Sequence, residues 1–421
     1  MNRCNATRAL MAIAISLLPE QLFGNGMRLG GQDSFAVARG DAFVATADNA
    51  SAICYNPAGI TQLDGHNLRG TLAGIYYNPT FTQPNSSGKF EIAEKNAAAA
   101  SFFYSYRRAD SPLSVGLGVY APFGGALKWP QDTGFRAVAL ESSVQFITAN
   151  PVLALRLAEN FSVGAGLTVN YARIYLEQGL LRNYLPPYIN YFRFTGDGLS
   201  SGYNLGVLWQ PHYKFWFGAA FRSTVPVTFD GNAEYEQFGA VPFTRRGAQM
   251  KLDFPLSTVF GISFRPTPAW NIEFDAEYTD WDSFGETVIR QAPPQAPWPV
   301  KQNIEVKLHW QSSWTYKIGV TRYFSRGWHA SAGYVFSENS VPDEYYTPFA
   351  TDLARHFFSF GIGHKGRRLD FDFAYQFGYG PDHVVTGSKP SSTPGRIANQ
   401  NADGTYDFQS HSLFVTLGWH F

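Results

Sequence analysis

Three groups of residues in this 421-residue chain have types and spacings that could carry chemistry. The first is Gly198-Leu-Ser-Ser-Gly202, which fits the Gly-x-Ser-x-Gly pattern of a nucleophile elbow, with Ser200 in the attacking position. An elbow needs a strand, a sharp turn and then a helix. The residues that follow, Tyr203–Trp209, alternate like another strand, so the match reads as coincidence. The second group is the nine histidines, which are scattered without His-x-x-x-His or any other ligand spacing. Neither a metal nor a cofactor is expected. The third group is Glu273, Asp275, Glu277, Asp370 and Asp372. Paired carboxylates can do general acid–base work. These fall at every second position of two segments, which makes them one face of two strands and favours a polar wall. The residues do not point to an enzyme.

The elements that would carry these residues are strands. In "HSLFVTLGWHF", Leu413, Val415, Leu417, Trp419 and Phe421 share one face, and Phe414, Thr416, Gly418 and His420 the other. "LDFDFAYQF" and "WNIEFDAEYT" alternate in the same way, with aromatics opposite the carboxylates. About fourteen such runs follow one another, centred on Thr71, Phe103, Leu117, Phe146, Leu167, Leu205, Phe217, Leu256, Phe274, Ile318, Ala332, Phe360, Phe373 and Val415. A soluble sheet would need a second layer over its apolar face, and the sequence has no amphipathic helices to supply one. Aromatics outward and carboxylates inward, in an even number of strands, fit an all-β transmembrane antiparallel barrel. Polar or Pro-rich gaps at Pro122–Ala137, Gly179–Asp197, Asp230–Gly247, Ile289–Lys301, Val341–Arg355 and Pro381–Tyr406 read as its loops.

Composition agrees. Charged residues are 16%, against a usual value of about 25%. Aromatics are plentiful, with 36 Phe, 23 Tyr and 10 Trp. Mean hydropathy is slightly negative, which excludes a bundle of membrane helices. Residues 1–24 read as a signal peptide: Arg3 and Arg8, an apolar core Ala9–Leu18 too short to span a bilayer, Pro19, and cleavage between Gly24 and Asn25. Without them 31 basic and 32 acidic residues remain of the 33 of each, so no basic field exists to attract nucleic acid. Cys4 leaves with the signal. Cys54 is then alone, cannot form an intrachain disulfide, and reads as a small buried hydrophobe.

Before the first strand stands "DNASAICYNPAGI", Asp48–Ile60. Asn56-Pro57 favours a turn and Gly59 loosens the backbone, so a short kinked segment is expected.

Four blocks give the chain a family resemblance. They are "NGMRLGGQDSFAVARGDAFVATADNASAICYNPAGITQLDG", "VGLGVYAPFGGALKWPQDTGFRAVALESS", "FDAEYTDWDSF" and "VPDEYYTPFATDLARHFFSFGIGHK". With the signal and the final Phe421, the chain resembles the outer-membrane transporters for long-chain fatty acids and aromatic hydrocarbons such as toluene. The resemblance implies a fourteen-stranded barrel over residues 66–421, plugged by an N-terminal hatch over residues 25–65. It implies a bacterial outer-membrane location, contact with outer-membrane lipid, recognition of Phe421 by the barrel assembly machinery, and a monomer. One departure is at Thr133–Arg136, where Thr-Gly-Phe-Arg replaces the commoner Trp-Val-Gly-Arg in an outside loop.

Such a cargo poses a physical problem. Exposing each CH₂ to water costs about 0.8 kcal/mol, so releasing a sixteen-carbon chain into water costs on the order of 10 kcal/mol. A side door into lipid avoids this, and the resemblance implies one where the third strand kinks inward. In "PLSVGLGVYAPFG", Leu113, Val115, Leu117 and Val119 face one way and Ser114, Gly116, Gly118 and Tyr120 the other. Inward Gly116 and Gly118 would admit a bend or a close approach of the hatch. The resemblance places Asn56, Pro57 and Ala58 against that strand. A carboxylate head group would need a cation in the lumen. Lys317 is a candidate by parity in "WTYKIGVT". Arg173, in "NYARIYLE", matches a family Tyr-Ala-Arg element, but falls in step with Val169 and Tyr171 on the lipid face, so it needs a bulge or a place at the outer rim. Pairing with lumen carboxylates is the competing role for both. Long-chain fatty acid uptake is the first expectation. Aromatic hydrocarbon uptake and a structural or adhesion barrel are the alternatives.

Overall fold

The structure is a computed structural model that describes residues 26–86, 88–180, 190–236, 243–293, 301–389 and 400–421. The expected signal peptide lies outside the described residues. Fourteen antiparallel strands form a closed barrel. They are β1 (Gly65–Thr82), β2 (Lys89–Glu91 and Asn96–Arg107), β3 (Leu113–Tyr120 and Gly124–Lys128), β4 (Glu141–Ala158) and β5 (Phe161–Gly179). Next come β6 (Tyr191–His212), β7 (Phe215–Arg222 and Val225–Glu236), β8 (Thr244–Phe254 and Ser257–Phe264) and β9 (Trp270–Thr279 and Glu286–Gln291). The wall is completed by β10 (Asn303–Lys307 and Ser313–Tyr323), β11 (Trp328–Ser337), β12 (Arg355–Lys365), β13 (Leu369–Val385) and β14 (Gly404–His420). Pairing of β14 with β1, from Asn67↔His420 to Thr82↔Thr405, closes the cylinder. Closure leaves no open sheet edge in the bilayer. Each expected strand centre falls on its own strand, with Leu256 at the break within β8.

One correction concerns the loops. Parts of Pro122–Ala137, Gly179–Asp197, Asp230–Gly247, Ile289–Lys301 and Pro381–Tyr406 are strand, since β3 includes Gly124–Lys128, β6 starts at Tyr191, β7 runs to Glu236, β8 starts at Thr244, β9 runs to Gln291, β13 runs to Val385 and β14 starts at Gly404. The cause is an inversion of the pattern along each strand. On β6, Leu199, Tyr203, Leu205, Val207 and Trp209 face out and are exposed. Higher on the same strand Phe192 and Phe194 are buried inside, and Arg193 and Thr195 take the outer positions. With 22 residues at about 3.3 Å each, β6 is far longer than the 9–11 residues that cross a bilayer. Its upper part stands in water, where polar residues belong outside. There the lumen is filled by an aromatic core that includes Phe123, Phe146, Phe229, Phe254, Trp281 and Trp310.

Residues 26–64 precede β1 and pack against the inward side chains of the wall. Helix α1 (Ser34–Ala38) is capped by Asp33, whose Oδ1 accepts from Phe35 N at 3.0 Å and Ala36 N at 3.3 Å. Helix α2 (Ala52–Tyr55) ends at Asn56, and a 3₁₀ turn follows over Pro57–Gln62. The expected kink is therefore a helix junction. The Asn56 side chain accepts from Ala58 N at 3.2 Å, and Pro57 occupies the first position of the turn, where no N–H is needed.

Candidate functional site

Glycines let this segment touch the wall. An ideal Cβ at Gly164, Gly206, Gly218, Gly319 or Gly333 would fall under 3.0 Å from backbone or side-chain atoms of Val44, Asn56, Pro57 or Arg39. Carboxylates then hold the backbone in place. Asp275 Oδ2 accepts from Phe43 N at 2.8 Å and Val44 N at 3.0 Å. Glu273 accepts from Ala45 N at 2.7 Å, and from Arg39 Nη2 at 3.2 Å. Asp33 pairs with Arg69 of β1, which also reaches Asp372 at 2.5 Å. The alternating carboxylates are thus a polar wall: those of β9 serve the N-terminal segment, while Asp370 and Asp372 of β13 bond His420, Arg69 and His329 within the wall.

The Asn56–Ala58 turn meets β5 and β6. Asn56 Nδ2 donates to Val207 O at 2.9 Å and to Val44 O at 2.8 Å, while Pro57 lies against Gly164 and Gly206. It is Ile53, three residues earlier, that occupies the space before Gly116 and Gly118. A Cβ there would sit 2.8 Å and 2.9 Å from its side chain. Tyr120 also points inward, and its hydroxyl bonds Asn150 Oδ1 at 3.1 Å.

Directly beyond Tyr120, β3 breaks. Its lower piece pairs with β2 only from Phe102↔Val119 to Arg107↔Ser114. Its upper piece pairs with β4, and residues 96–101 of β2 pair with β1. Pro122–Gly124 turn inward and bond the N-terminal segment instead: Leu29 N donates to Pro122 O at 2.9 Å and Gly124 N to Met27 O at 3.0 Å. Phe123 is anchored in the aromatic core, 5.3 Å from the Phe146 ring. Gln32 bridges the parted strands, donating to Ala121 O at 2.8 Å and accepting from Ser101 Oγ at 2.5 Å. The β2 side of this gap is the small-residue run Ala97–Ser101.

Behind Gln32 lies a lumen cavity of about 150 Å³. Ile75, Ala99, Val335, Phe357, Phe408 and Phe414 line it from β1, β2, β11, β12 and β14 together with Ser337, Gln376, Ser410 and Ser412; the rest of the lining includes Arg28, Arg222 and Lys317 with the acidic Asp41, Asp275 and Glu277. Lys317 Nζ lies 2.6 Å from Glu277 Oε2, and Arg28 pairs with the other oxygen. Asp41 also lines the cavity, accepting from Tyr55 OH at 2.7 Å and Gly31 N at 3.0 Å; burial pushes its carboxyl above the usual range. Arg222 forms no ion pair with a carboxylate among the described residues. It donates to Cys54 O and lies 3.3 Å from Cys54 Sγ. Cys54 is a buried free thiol, and burial pushes its pKa up.

The sequence candidates for a head-group cation divide. Lys317 reaches the cavity. Arg173 does not: it is exposed on the outer face of β5, opposite Gln145 and Asp197, in unbroken register. No bulge turns it inward, so parity overrides its family match and it takes the outer-rim place. Arg222 was within reach of the same parity reasoning, since Phe217 and Phe221 face out and leave Gly218 and Arg222 inside. Arg28 lies in irregular chain, where no periodicity could mark it. Ser200 lies within β6, a strand on both sides, and its Oγ bonds Pro226 O. That is not the geometry of an elbow.

At the outer end, the loop at residues 129–140 folds inward. Phe135 and Arg136 of the departing Thr133–Arg136 block are fully buried, with Arg136 Nη1 2.6 Å from Asn190 Oδ1. Trp129 Nε1 donates to Pro348 O at 3.0 Å, tying this loop to residues 338–354.

Comparison with known proteins places this geometry. A family described as "Outer membrane protein transport protein (OMPP1/FadL/TodX)" matches residues 17–420. The long-chain fatty acid transport protein of Escherichia coli O6:H1 (strain CFT073) is 20% identical, over 88% of this chain and 91% of that protein. A Pseudomonas aeruginosa FadL homologue of known crystal structure superposes with a TM-score of 0.78 at 16% identity, over 94% of this chain and all of the other. The Pseudomonas putida toluene transporter TodX gives 0.71 at 12% identity, over 94% and 100%. These structural likenesses establish the fold.

Proposed function

The chain belongs to the OMPP1/FadL/TodX family of outer-membrane transport proteins, whose members are transport channels for hydrophobic compounds, and from that premise we propose that its cargo is a long-chain fatty acid. The observation that carries this reading is that one cavity brings apolar side chains together with three cations. Among the described residues Arg222 lacks a carboxylate ion-pair partner, and Arg28 and Lys317 share one. A neutral aromatic hydrocarbon would gain a cation–π contact of about 0.5–2 kcal/mol from these cations, whereas a carboxylate gains a charge-assisted hydrogen bond together with its charge pairing.

In this reading residues 26–64 act as the hatch. Cargo enters from the outer loops, rests with its head near Arg222 and Lys317, and leaves through the gap between β2 and β3 beside Ala97–Ser101. Lateral escape keeps the chain out of water. Phe421, 63% exposed at the end of β14, is the point of contact for the assembly machinery, and the barrel acts as a monomer. No catalytic step is part of the mechanism.

The test is binding of oleate, oleyl alcohol and toluene to the purified barrel. Tighter binding of oleate than of oleyl alcohol is expected, and the preference should shrink as salt rises. Equal affinity for the two would refute the carboxylate reading and favour the neutral hydrocarbon.

A further inference from the structure

The wall has a second interruption. Between β6 and β7 the ladder runs from Trp209↔Phe217 up to Asn204↔Arg222, and again from Asp197↔Asp230 to Tyr191↔Glu236. Between these runs, residues 198–203 face residues 223–229 with one residue in excess on β7. A backbone bond from Ser223 N to Tyr203 O, 3.0 Å, stands at the lower end. Pro226 has no N–H to give, and the Ser200 hydroxyl bonds its carbonyl in place of a rung. The Gly198–Gly202 motif, without use as an elbow, therefore lies along this seam. Leu199 and Tyr203 on its outer side are exposed to lipid.

A cavity of about 30 Å³ lies at the seam, and its lining comes from both faces of the wall. Phe123, Phe146 and Thr168 belong to the lumen, and Tyr203 is exposed on the outside. The rung at its foot is Asn204↔Arg222, and these two residues also hold α2. Asn204 Nδ2 donates to Ile53 O at 3.2 Å, and Arg222 donates to Cys54 O.

We propose that the β6–β7 seam is a second lateral passage, through which an unbranched acyl chain moves between the aromatic lumen and the outer leaflet, and that α2 holds it shut through Asn204 and Arg222. This rests on the transport reading above. At about 30 Å³ the cavity has room for a methylene group and none for an aromatic ring, which suits an acyl tail. Displacing α2 frees the Asn204 and Arg222 side chains and leaves the Ser223 N–Tyr203 O and Tyr203 N–Ser223 Oγ bonds, each 3.0 Å, to hold the foot of the seam, so movement of the N-terminal segment loosens it.

A reversible lock tests it. A Cβ at Gly202 would lie 2.8 Å from Ser223 Oγ, so Gly202→Cys with Ser223→Cys, in a Cys54→Ala background, can be joined across the seam. Uptake of labelled palmitate by cells expressing this variant as their sole transporter should fall at least threefold on oxidation and recover with dithiothreitol. An equal rate in both states overturns the proposal. Should the variant fail to assemble, photo-crosslinking of a diazirine palmitate to the unaltered chain decides. Label on residues 199–203 or 223–229 supports the passage; label confined to residues 96–126 overturns it. Absence of both label and uptake would instead overturn the transport reading, and the passage with it.

Discussion

Lys317 pairs with Glu277 at 2.6 Å, although the residue directly across the ladder from it is Asp275. The N-terminal segment takes one oxygen of Asp275, whose Oδ2 accepts the amides of Phe43 and Val44, while among the described residues Oδ1 is buried without a hydrogen-bond partner. Three consecutive inward carboxylates divide the work: Glu273 and Asp275 hold backbone, and Glu277 balances cations.

Glu273 should be the strongest single hold on the segment. Its side chain and that of Arg39 are fully buried. Glu273→Ala leaves Arg39 uncompensated, a loss of about 3–5 kcal/mol for a broken buried pair. The expected result is a barrel that still assembles but passes small polar solutes, read as raised single-channel conductance in planar bilayers. Wild-type conductance would show that the segment does not depend on this pair.

Close approach of backbone to wall predicts a second lesion. Gly218→Val would drive a side chain into Val44 O and cost about 1–3 kcal/mol by overpacking. Limited proteolysis should then cut within residues 26–64 while the strands stay protected. Gly74→Val, at a glycine with open space, should change neither.

Much of this was legible in the sequence, and the limits are physical. The period-2 rule located the strands because lipid imposes apolar residues on one face. It misjudged the upper halves of β6 to β9, where water replaces lipid and the apolar face turns inside. Parity placed Lys317 and Arg173 on opposite faces, as observed. Parity carried no information for Arg28, Gln32 or Ile53, which lie in irregular chain positioned by tertiary contacts alone. The bend in the third strand was expected at Gly116 and Gly118, which pair regularly with β2, whereas the break lies just beyond Tyr120; the unpaired stretch of β2 opposite was not legible, because pairing partners leave no local mark.

The outer loop should respond to pH through Asp352, which lies between strands and accepts from Ser340 N at 2.7 Å and Gly26 N at 3.1 Å. Burial raises its carboxyl above the ordinary 3.8. The folded loop then binds a proton that the unfolded loop releases, so its stability falls as pH rises from about 4 through the raised value. Proteolysis within residues 338–354 should be slower at the acid end of that window. Asp352→Asn should flatten the dependence; an unchanged slope would assign it to another group.

Replacement of the cations should separate head from tail. Arg222→Met removes a charge-assisted hydrogen bond worth about 1.5–3 kcal/mol, a loss of roughly tenfold to a hundredfold in oleate affinity. Lys317→Met should act in the same direction, since it removes a cation and leaves Glu277 balanced by Arg28 alone. Binding of oleyl alcohol should stay within about twofold in both. Parallel loss of oleate and oleyl alcohol would mean that the substitutions damage the cavity rather than head-group recognition.

The most direct test of the central claim is uptake of labelled palmitate and of labelled toluene by cells that lack their own transporter and express this chain. The account predicts rapid palmitate uptake that is lost with Arg222→Met together with Lys317→Met, and little gain for toluene. Uptake of toluene without palmitate, or of neither compound, would contradict it.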